Sequence, residues 1–141
     1  MGSPFTSAIG AYSMKRDAEL IREILLAVES HDHNGGLVPI YDMLECPNPL
    51  IGYHVYIMHN YGLLEALNAT TTKGFRYKWI PKCLTMEGHD YIETVRDPEN
   101  WRKTTVALSK IGSWDLDTIK IVAKKFLSTK IEQLFDGAVT Y

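Results

Sequence analysis

The chain alternates between long stretches in which apolar residues recur every three or four positions and one central stretch in which they recur every second position. The first spacing places apolar side chains on one face of a helix, and the second places them on one face of a strand. Glycine or an Asp/Asn–Pro pair bounds most of the helical stretches, as expected for helix ends. The predicted N-caps are Asn48, Thr85 and Asp97. The pattern predicts helices over residues 17–29, 40–44, 50–61, 85–96, 98–110 and 114–135.

A β-hairpin is predicted between the third and fourth helices. Residues 63–69 suit a strand, and the threonine-rich segment 70–74 suits a turn. The segment after the turn alternates aromatic and basic residues, in the order Phe75-Arg76-Tyr77-Lys78-Trp79. This alternation predicts a second strand with one aromatic face and one basic face.

The order of helix, short helix, helix, hairpin and helix is the connectivity of a winged helix-turn-helix, in which the third helix reads DNA and the hairpin is the wing. The sequence therefore predicts a mainly α fold with a small antiparallel β-hairpin. The winged-helix domain spans residues 14–96, and residues 97–141 add two C-terminal helices to the same domain. Residues 1–13 are uncharged and show no apolar period, so we expect a leader or a disordered arm there.

Composition narrows the class of protein. With 141 residues, 45% of them hydrophobic and 23% charged, the chain is expected to form one globular domain rather than a fibre or a disordered tail. The net charge of −2 does not by itself draw the protein to nucleic acid or to a membrane. No apolar run approaches the ~20 residues of a membrane span. Two cysteines, Cys46 and Cys83, predict free thiols and a cytoplasmic location.

Two sets of residues carry a resemblance to a known family. The first set comprises Met14-Lys15-Arg16-Asp17, Leu20-Ile21-Arg22, Ile24-Leu25-Leu26 and Tyr61-Gly62-Leu63-Leu64-Glu65-Ala66. The second comprises Leu84-Thr85-Met86-Glu87-Gly88-His89-Asp90-Tyr91-Ile92, Val95-Arg96-Asp97 and Trp101. Over residues 14–135 the chain resembles the bacterial and phage domain of unknown function family 2513. The resemblance implies a winged-helix-like fold and implies no activity.

The predicted wing contains the clearest functional signal. Between residues 70 and 83 the chain has four basic residues and no acidic one, and a basic hairpin suits contact with DNA phosphates. Lys73, Arg76 and Lys78 are the predicted phosphate contacts. The alternative is a solvated strand edge that basic residues protect against association with another sheet.

The predicted reader helix, residues 50–61, has no lysine or arginine. Its predicted outward residues can contact adenine or phosphates, or can stack. They equally suit a protein-binding patch, because tyrosine is enriched at interface hot spots. Both interpretations remain open for these residues, which are Tyr53, Tyr56, His59 and Asn60.

Other chemistry is less well supported. His31, Asp32 and His33 precede Cys46 at a spacing that matches no compact zinc motif, and the pair of Cys83 and His89 has no recognisable orienting acid. We therefore predict no catalytic residue, no metal site and no cofactor, and a protein that is not an enzyme.

Extra apolar and aromatic residues in the C-terminal helices have two interpretations. They either complete the core or form the seam of a homodimer, and they include Trp101, Val106, Leu108 and Trp114. The sequence as a whole predicts a small regulator of bacterial, phage or mobile-element origin that binds double-stranded DNA, with no membrane contact. The alternative is a protein–protein interaction module with the same fold.

Overall fold

The computed structural model describes residues 14–31 and 36–139, and side chains as far as residue 136. The arm predicted for residues 1–13 lies outside the described residues. Within the described part the chain forms six helices and one pair of antiparallel strands, which confirms the predicted fold class. The elements are α1 (Ala18–Ser30), α2 (Ile40–Met43), α3 (Asn48–Tyr61), β1 (Leu64–Asn68), β2 (Trp79–Leu84), α4 (Met86–Val95), α5 (Pro98–Ile111) and α6 (Leu116–Val139).

The chain divides into two compact units, and the division falls between Asp90 and Tyr91, inside α4. The sequence placed its boundary after residue 96, at the end of this helix. None of the helices in the described ranges combines the length and the apolar character that crossing a membrane requires.

The core of the first unit forms from the apolar faces of α1 and α3. Helix α1 begins after Asp17, whose carboxylate accepts hydrogen bonds from the backbone N–H groups of Glu19 (2.9 Å) and Leu20 (3.2 Å). Each fully buried Leu or Ile side chain stabilises the fold by roughly 1.5–3 kcal/mol. The buried apolar residues of these two helices are Leu20, Ile21, Ile24, Leu25, Val28, Leu50, Ile51, Val55 and Met58.

The prediction that Asn48 caps α3 is wrong, because the helix begins at Asn48 itself. Asn48 is already helical, Pro47 occupies the N-cap position, and no side chain caps the helix. Pro49 has no backbone N–H, so one of the donors that a cap would satisfy is absent. The helix ends at Gly62, whose φ of 101° is strained for any residue with a side chain.

Strands β1 and β2 pair antiparallel, with Leu64 opposite Leu84 and Asn68 opposite Trp79, and the register shifts between Glu65 and Ala66. The sequence prediction was wrong about where the second strand begins. Residues 75–78 form an irregular loop, and strand β2 itself begins at Trp79. Before α2, the backbone N–H of Val38 donates to the carbonyl of Pro81 in β2 at 2.8 Å.

Helix α4 packs closely on the junction between α3 and β1. A Cβ atom at Gly88 would collide with the carbonyl of Leu63, so only glycine permits this approach. Thr85 caps α4 as predicted, accepting from the N–H of Gly88 at 3.1 Å. Its hydroxyl donates to the carbonyl of Gly62, which ties the start of α4 to the end of α3.

In the second unit, buried Asn100 joins three helices. Its side-chain amide donates to the carbonyl of Thr94 at 2.9 Å and to that of Ala123 at 3.5 Å. Helix α5 begins at the predicted cap Asp97, which accepts from the N–H of Asn100. Helix α6 begins two residues later than predicted because Asp115 caps it. Hydrogen bonds from Ser113 and Thr118 hold the pKa of Asp115 well below its usual range.

Candidate nucleic-acid interface

The connection between β1 and β2, residues 69–78, carries the predicted wing residues, and we call it the basic loop. Backbone pairing continues one step beyond the strands, since the N–H of Ala69 donates to the carbonyl of Lys78 at 2.8 Å. Threonine hydroxyls close the rest of the loop. Thr70 accepts from the N–H of Lys78 (2.9 Å), and Thr71 accepts from the N–H of Gly74 (3.1 Å). The loop is therefore held internally by hydrogen bonds.

The basic loop also lies against α3, at Gly52. A Cβ atom at this buried glycine would collide with the carbonyl of Tyr77, and would come within 3.1 Å of the Phe75 ring and 2.9 Å of the Tyr41 hydroxyl. Tyr77 reaches this position with a positive φ of 62°, which few non-glycine residues adopt. A glycine inside a helix, a destabilising choice by itself, is thus explained by the close approach of the loop.

Aromatic rings fill the contact between the loop and α3. The Tyr77 ring lies 4.6 Å from Tyr56 and 5.3 Å from Tyr53 between centroids. The Trp79 ring lies 5.4 Å from Tyr56 and 5.1 Å from His59. Such tilted and edge-to-face contacts each contribute about 0.5–1.5 kcal/mol beyond burial. We call Tyr53, Tyr56, His59, Tyr77 and Trp79 the aromatic cluster.

Tyr41 fastens the same region from the side of α2. Its hydroxyl donates to the carbonyl of Trp79 at 2.6 Å, and its ring meets the Phe75 ring edge-on at 5.5 Å. Burial raises the pKa of Tyr41 above its ordinary value, so the hydroxyl stays protonated and keeps donating at any physiological pH.

The predicted reader residues differ in exposure. Asn60 is exposed, as predicted, whereas Tyr53, Tyr56 and His59 are half-buried. The alternation from Phe75 onwards predicts a strand because every second residue is aromatic. In the structure the aromatic residues of that segment pack on α3 instead of lining one face of a sheet.

The three predicted wing cations lie at the loop surface. Lys73 and Arg76 are exposed and Lys78 is half-buried. In the part of the chain that the structure describes, none of the three forms an ion pair. The Arg76 guanidinium lies 5.4 Å from the centre of the Tyr77 ring, a contact that orients it without neutralising it. Positive charge therefore accumulates on one ordered loop.

The family model for a hypothetical protein family, DUF2513, matches residues 15–114. The chain belongs to this family. An uncharacterised protein of Haemophilus influenzae is 32% identical over 117 residues, which cover 82% of this chain and 97% of that protein. The resemblance stated from the sequence is thereby confirmed. No solved structure matches the chain.

The surroundings of both cysteine thiols in this DUF2513 protein raise their pKa and so lower their reactivity. Cys83 donates to a Glu65 carboxylate oxygen at 3.4 Å, and burial together with Glu65 raises the pKa of the Cys83 thiol. Burial, with the charges of Glu23 and Asp17, raises the pKa of Cys46 to about 12. A nucleophilic cysteine needs the opposite shift.

The sequence predicts no metal site at His31, Asp32, His33 and Cys46. Asp32 and His33 lie outside the described residues. Among the residues that are described, no three His, Cys, Asp or Glu side chains lie close enough together to bind a metal ion.

The structural roles of His54 and Gly52 are not predicted from the sequence. His54 is buried in α3 between two backbone groups. Its Nδ1–H donates to the carbonyl of Leu50 at 2.8 Å, and its Nε2 accepts from the N–H of Asp17 at 2.9 Å. Burial lowers the pKa of His54, in keeping with a neutral ring. Gly52 could have been recognised from its place inside a helix; the partners of His54 leave no signal in the sequence.

Proposed function

We propose that this DUF2513 protein binds double-stranded DNA through the basic loop and acts as a small regulator. The observation that supports this most directly is the set of three loop cations, Lys73, Arg76 and Lys78, none of which pairs with an acid in the described part of the chain. Exposed, unneutralised cations are the groups that displace counterions from DNA phosphates. A cytoplasmic location and the absence of catalysis are parts of the same proposal.

The order of the elements supports a winged-helix interpretation. Helices α1 to α3 precede a β-hairpin, and α4 follows it. The bond from Val38 to Pro81 places an extended segment beside β2. In this interpretation the basic loop is the wing and α3 is the reader helix.

The aromatic cluster limits what α3 can contribute to DNA recognition. Tyr53 and Tyr56 pack against Tyr77 of the loop, and His59 packs against Trp79 of β2. Helix α3 has no lysine or arginine. The exposed Asn60 near the end of α3 is then the group best placed to contact a base edge, and asparagine pairs with adenine. We therefore propose that phosphate contacts supply most of the affinity.

The decisive experiment measures duplex binding by fluorescence anisotropy as a function of salt. Each phosphate contact adds about −0.9 to the slope of log affinity against log salt. Replacing Lys73, Arg76 and Lys78 together by alanine should reduce the slope by about two to three, and do so for unrelated sequences alike. The control replaces Lys103, Lys110 and Lys130 by alanine; these lysines are exposed and lie outside the loop. The control removes the same amount of charge, and the slope of log affinity against log salt should remain close to that of the wild type.

A protein–protein interaction module is the second candidate, and the aromatic cluster favours it. Half-buried tyrosine and tryptophan rings are common at interface hot spots. Absence of duplex binding at about 50 mM salt and tens of micromolar protein would reject the DNA proposal and leave this one. Tyr53→Ala or Tyr56→Ala would then weaken capture of the partner, whereas the triple loop variant would have little effect.

A homodimer through the C-terminal helices is compatible with DNA binding, because dimers gain affinity from two half-sites. Contact between the basic loop and phosphates does not require it. The dimer is therefore a separate proposal with its own test.

A further inference from the structure

Helix α6 is longer than the helix it packs against. Its 24 residues span about 36 Å, whereas the 14 residues of α5 span about 21 Å. Every residue from 128 to 136 is exposed. This second half of α6 therefore gains almost nothing from burial within the chain, although an unsupported helix of such length is marginal in water.

The outer face of α6 repeats with a spacing of seven residues. Ile121, Ser128 and Phe135 are seven apart, so they lie in one row along the helix. Ile121 is 68% exposed and Phe135 is 66% exposed, so both leave most of a large apolar side chain in contact with solvent. Ile131, 52% exposed, lies one turn from Phe135 beside this row. In coiled coils such a row supplies one of the two contact positions in each heptad.

We propose that this row, which we call the α6 seam, pairs antiparallel with the α6 seam of a second copy of this chain. A two-fold axis at Ser128 places Ile121 of one copy opposite Phe135 of the other. The small side chain at the axis lets the two backbones approach closely. The proposal does not depend on DNA binding.

Charge decides the orientation of the two helices. Lys124 lies four residues before Ser128 and Glu132 four residues after it, and both are exposed. Antiparallel pairing about Ser128 brings Lys124 of each copy beside Glu132 of the other, which gives two opposite-charge contacts. Parallel pairing would place Lys124 against Lys124 and Glu132 against Glu132, and like charges across a helix contact are unfavourable.

The size of the seam sets the expected affinity. Four helical turns on each side bury less than the ~1,200 Å² of a stable, specific interface. We therefore expect a dissociation constant on the order of tens of micromolar, so the dimer forms only at high protein concentration.

Sedimentation velocity of the full chain from about 1 to 300 µM tests the proposal. The mass should rise from 16.0 kDa towards twice that value. Phe135→Gln should weaken dimerisation about tenfold or more, because it removes one contact on each side of the axis. Met86→Gln is the matched control: Met86 is 77% exposed and lies outside α6, so its replacement should leave the mass curve unchanged.

A charge-reversal cycle tests the orientation. Lys124→Glu and Glu132→Lys should each weaken the dimer, and the double variant should restore it, since the opposite charges meet again in exchanged positions. Circular dichroism checks that each variant keeps its helix content. A mass of 16.0 kDa at every concentration, or a dimer unaffected by Phe135→Gln, overturns the proposal. Failure of the double variant to recover overturns the antiparallel arrangement.

Discussion

The backbone N–H of Asp17 donates a hydrogen bond to Nε2 of His54 at 2.9 Å, and so joins the cap of α1 to the middle of α3. The other ring nitrogen donates to the carbonyl of Leu50, which fixes the tautomer. Asp17 meanwhile uses its carboxylate to cap α1. One buried imidazole therefore satisfies backbone groups of two helices, and it can do so only while its Nε2 is unprotonated.

This bond makes stability depend on pH. Burial lowers the pKa of His54 in the folded chain below the ordinary histidine value of about 6.5. The unfolded chain therefore binds a proton that the folded chain excludes, and the free energy of unfolding should fall as the pH drops below about 6.5. Urea denaturation at several pH values between about 7.5 and 5 measures this change in the free energy of unfolding.

The control for this pH dependence is His54→Gln, which does not titrate. This variant should be less stable at pH 7.5, by roughly 1–3 kcal/mol for disturbed buried hydrogen bonds. Its stability should fall less steeply with acid than that of the wild type. Parallel curves for the two proteins would contradict the assignment.

The docking of the basic loop on α3 can be tested at Gly52. In Gly52→Ala the new methyl group would meet the carbonyl of Tyr77, so the loop must shift, at a cost of about 1–3 kcal/mol. The displaced loop should then be cut faster by trypsin after Lys73 or Arg76, on the order of tenfold.

Gly36→Ala provides the comparison, because nothing lies within 4 Å of a Cβ atom there and its φ is not in the left-handed region. Its stability should change by less than ~1 kcal/mol, and its loop should be cut at the wild-type rate. Equal cleavage in both variants would show that Gly52 does not hold the loop.

Recognition of particular base pairs, if DNA binding is confirmed, should depend on Asn60. Asn60→Ala should cost about 1–3 kcal/mol at a preferred duplex selected from a random pool, and little at unrelated duplexes. Asn48→Ala serves as the control at the other end of α3, since Asn48 is also exposed and makes no capping hydrogen bond. A uniform loss across all duplexes would assign Asn60 to phosphate contact instead.

The reactivity of Cys83 should depend on Glu65. The carboxylate of Glu65 accepts from the Cys83 thiol and, after burial, is the next cause of its raised pKa. Glu65→Gln removes the negative charge, so reaction of Cys83 with a disulfide reagent at pH 8 should become several-fold faster. Cys46 is the internal control. Its pKa of about 12 should keep it slow in both proteins, and equal acceleration at both thiols would indicate unfolding instead.

The helices of this fold follow closely from local sequence signals. Thr85 and Asp97 cap helices where the sequence predicted caps, because capping depends on residues only two or three positions apart. The predicted start of β2 was wrong for a physical reason. A segment with alternating aromatic residues can form either one face of a strand or a loop that packs on a helix. The loop can pack on α3 because residue 52 is glycine, and that residue is distant in sequence.

The candidate site was predictable to a similar extent. Lys73 and Arg76 are exposed, and the absence of an acid between residues 70 and 83 agrees with the lack of an ion pair at either of them among the described residues. The burial of Tyr53 and Tyr56 was not predictable from their helical positions, since it depends on the positive φ of Tyr77. Contacts between segments that are distant along the chain decide which face of α3 stays accessible.

The contact between Gly52 and the carbonyl of Tyr77 also constrains how this family can diverge. A mutation that adds a side chain at position 52 is tolerable only if the loop takes another path. Insertions, deletions or loss of the aromatic residues in the loop should therefore accompany every relative whose counterpart of Gly52 is larger. Where glycine is retained at this position, the loop should keep its length. Changes in α3 around position 52 and changes in the basic loop should therefore occur together.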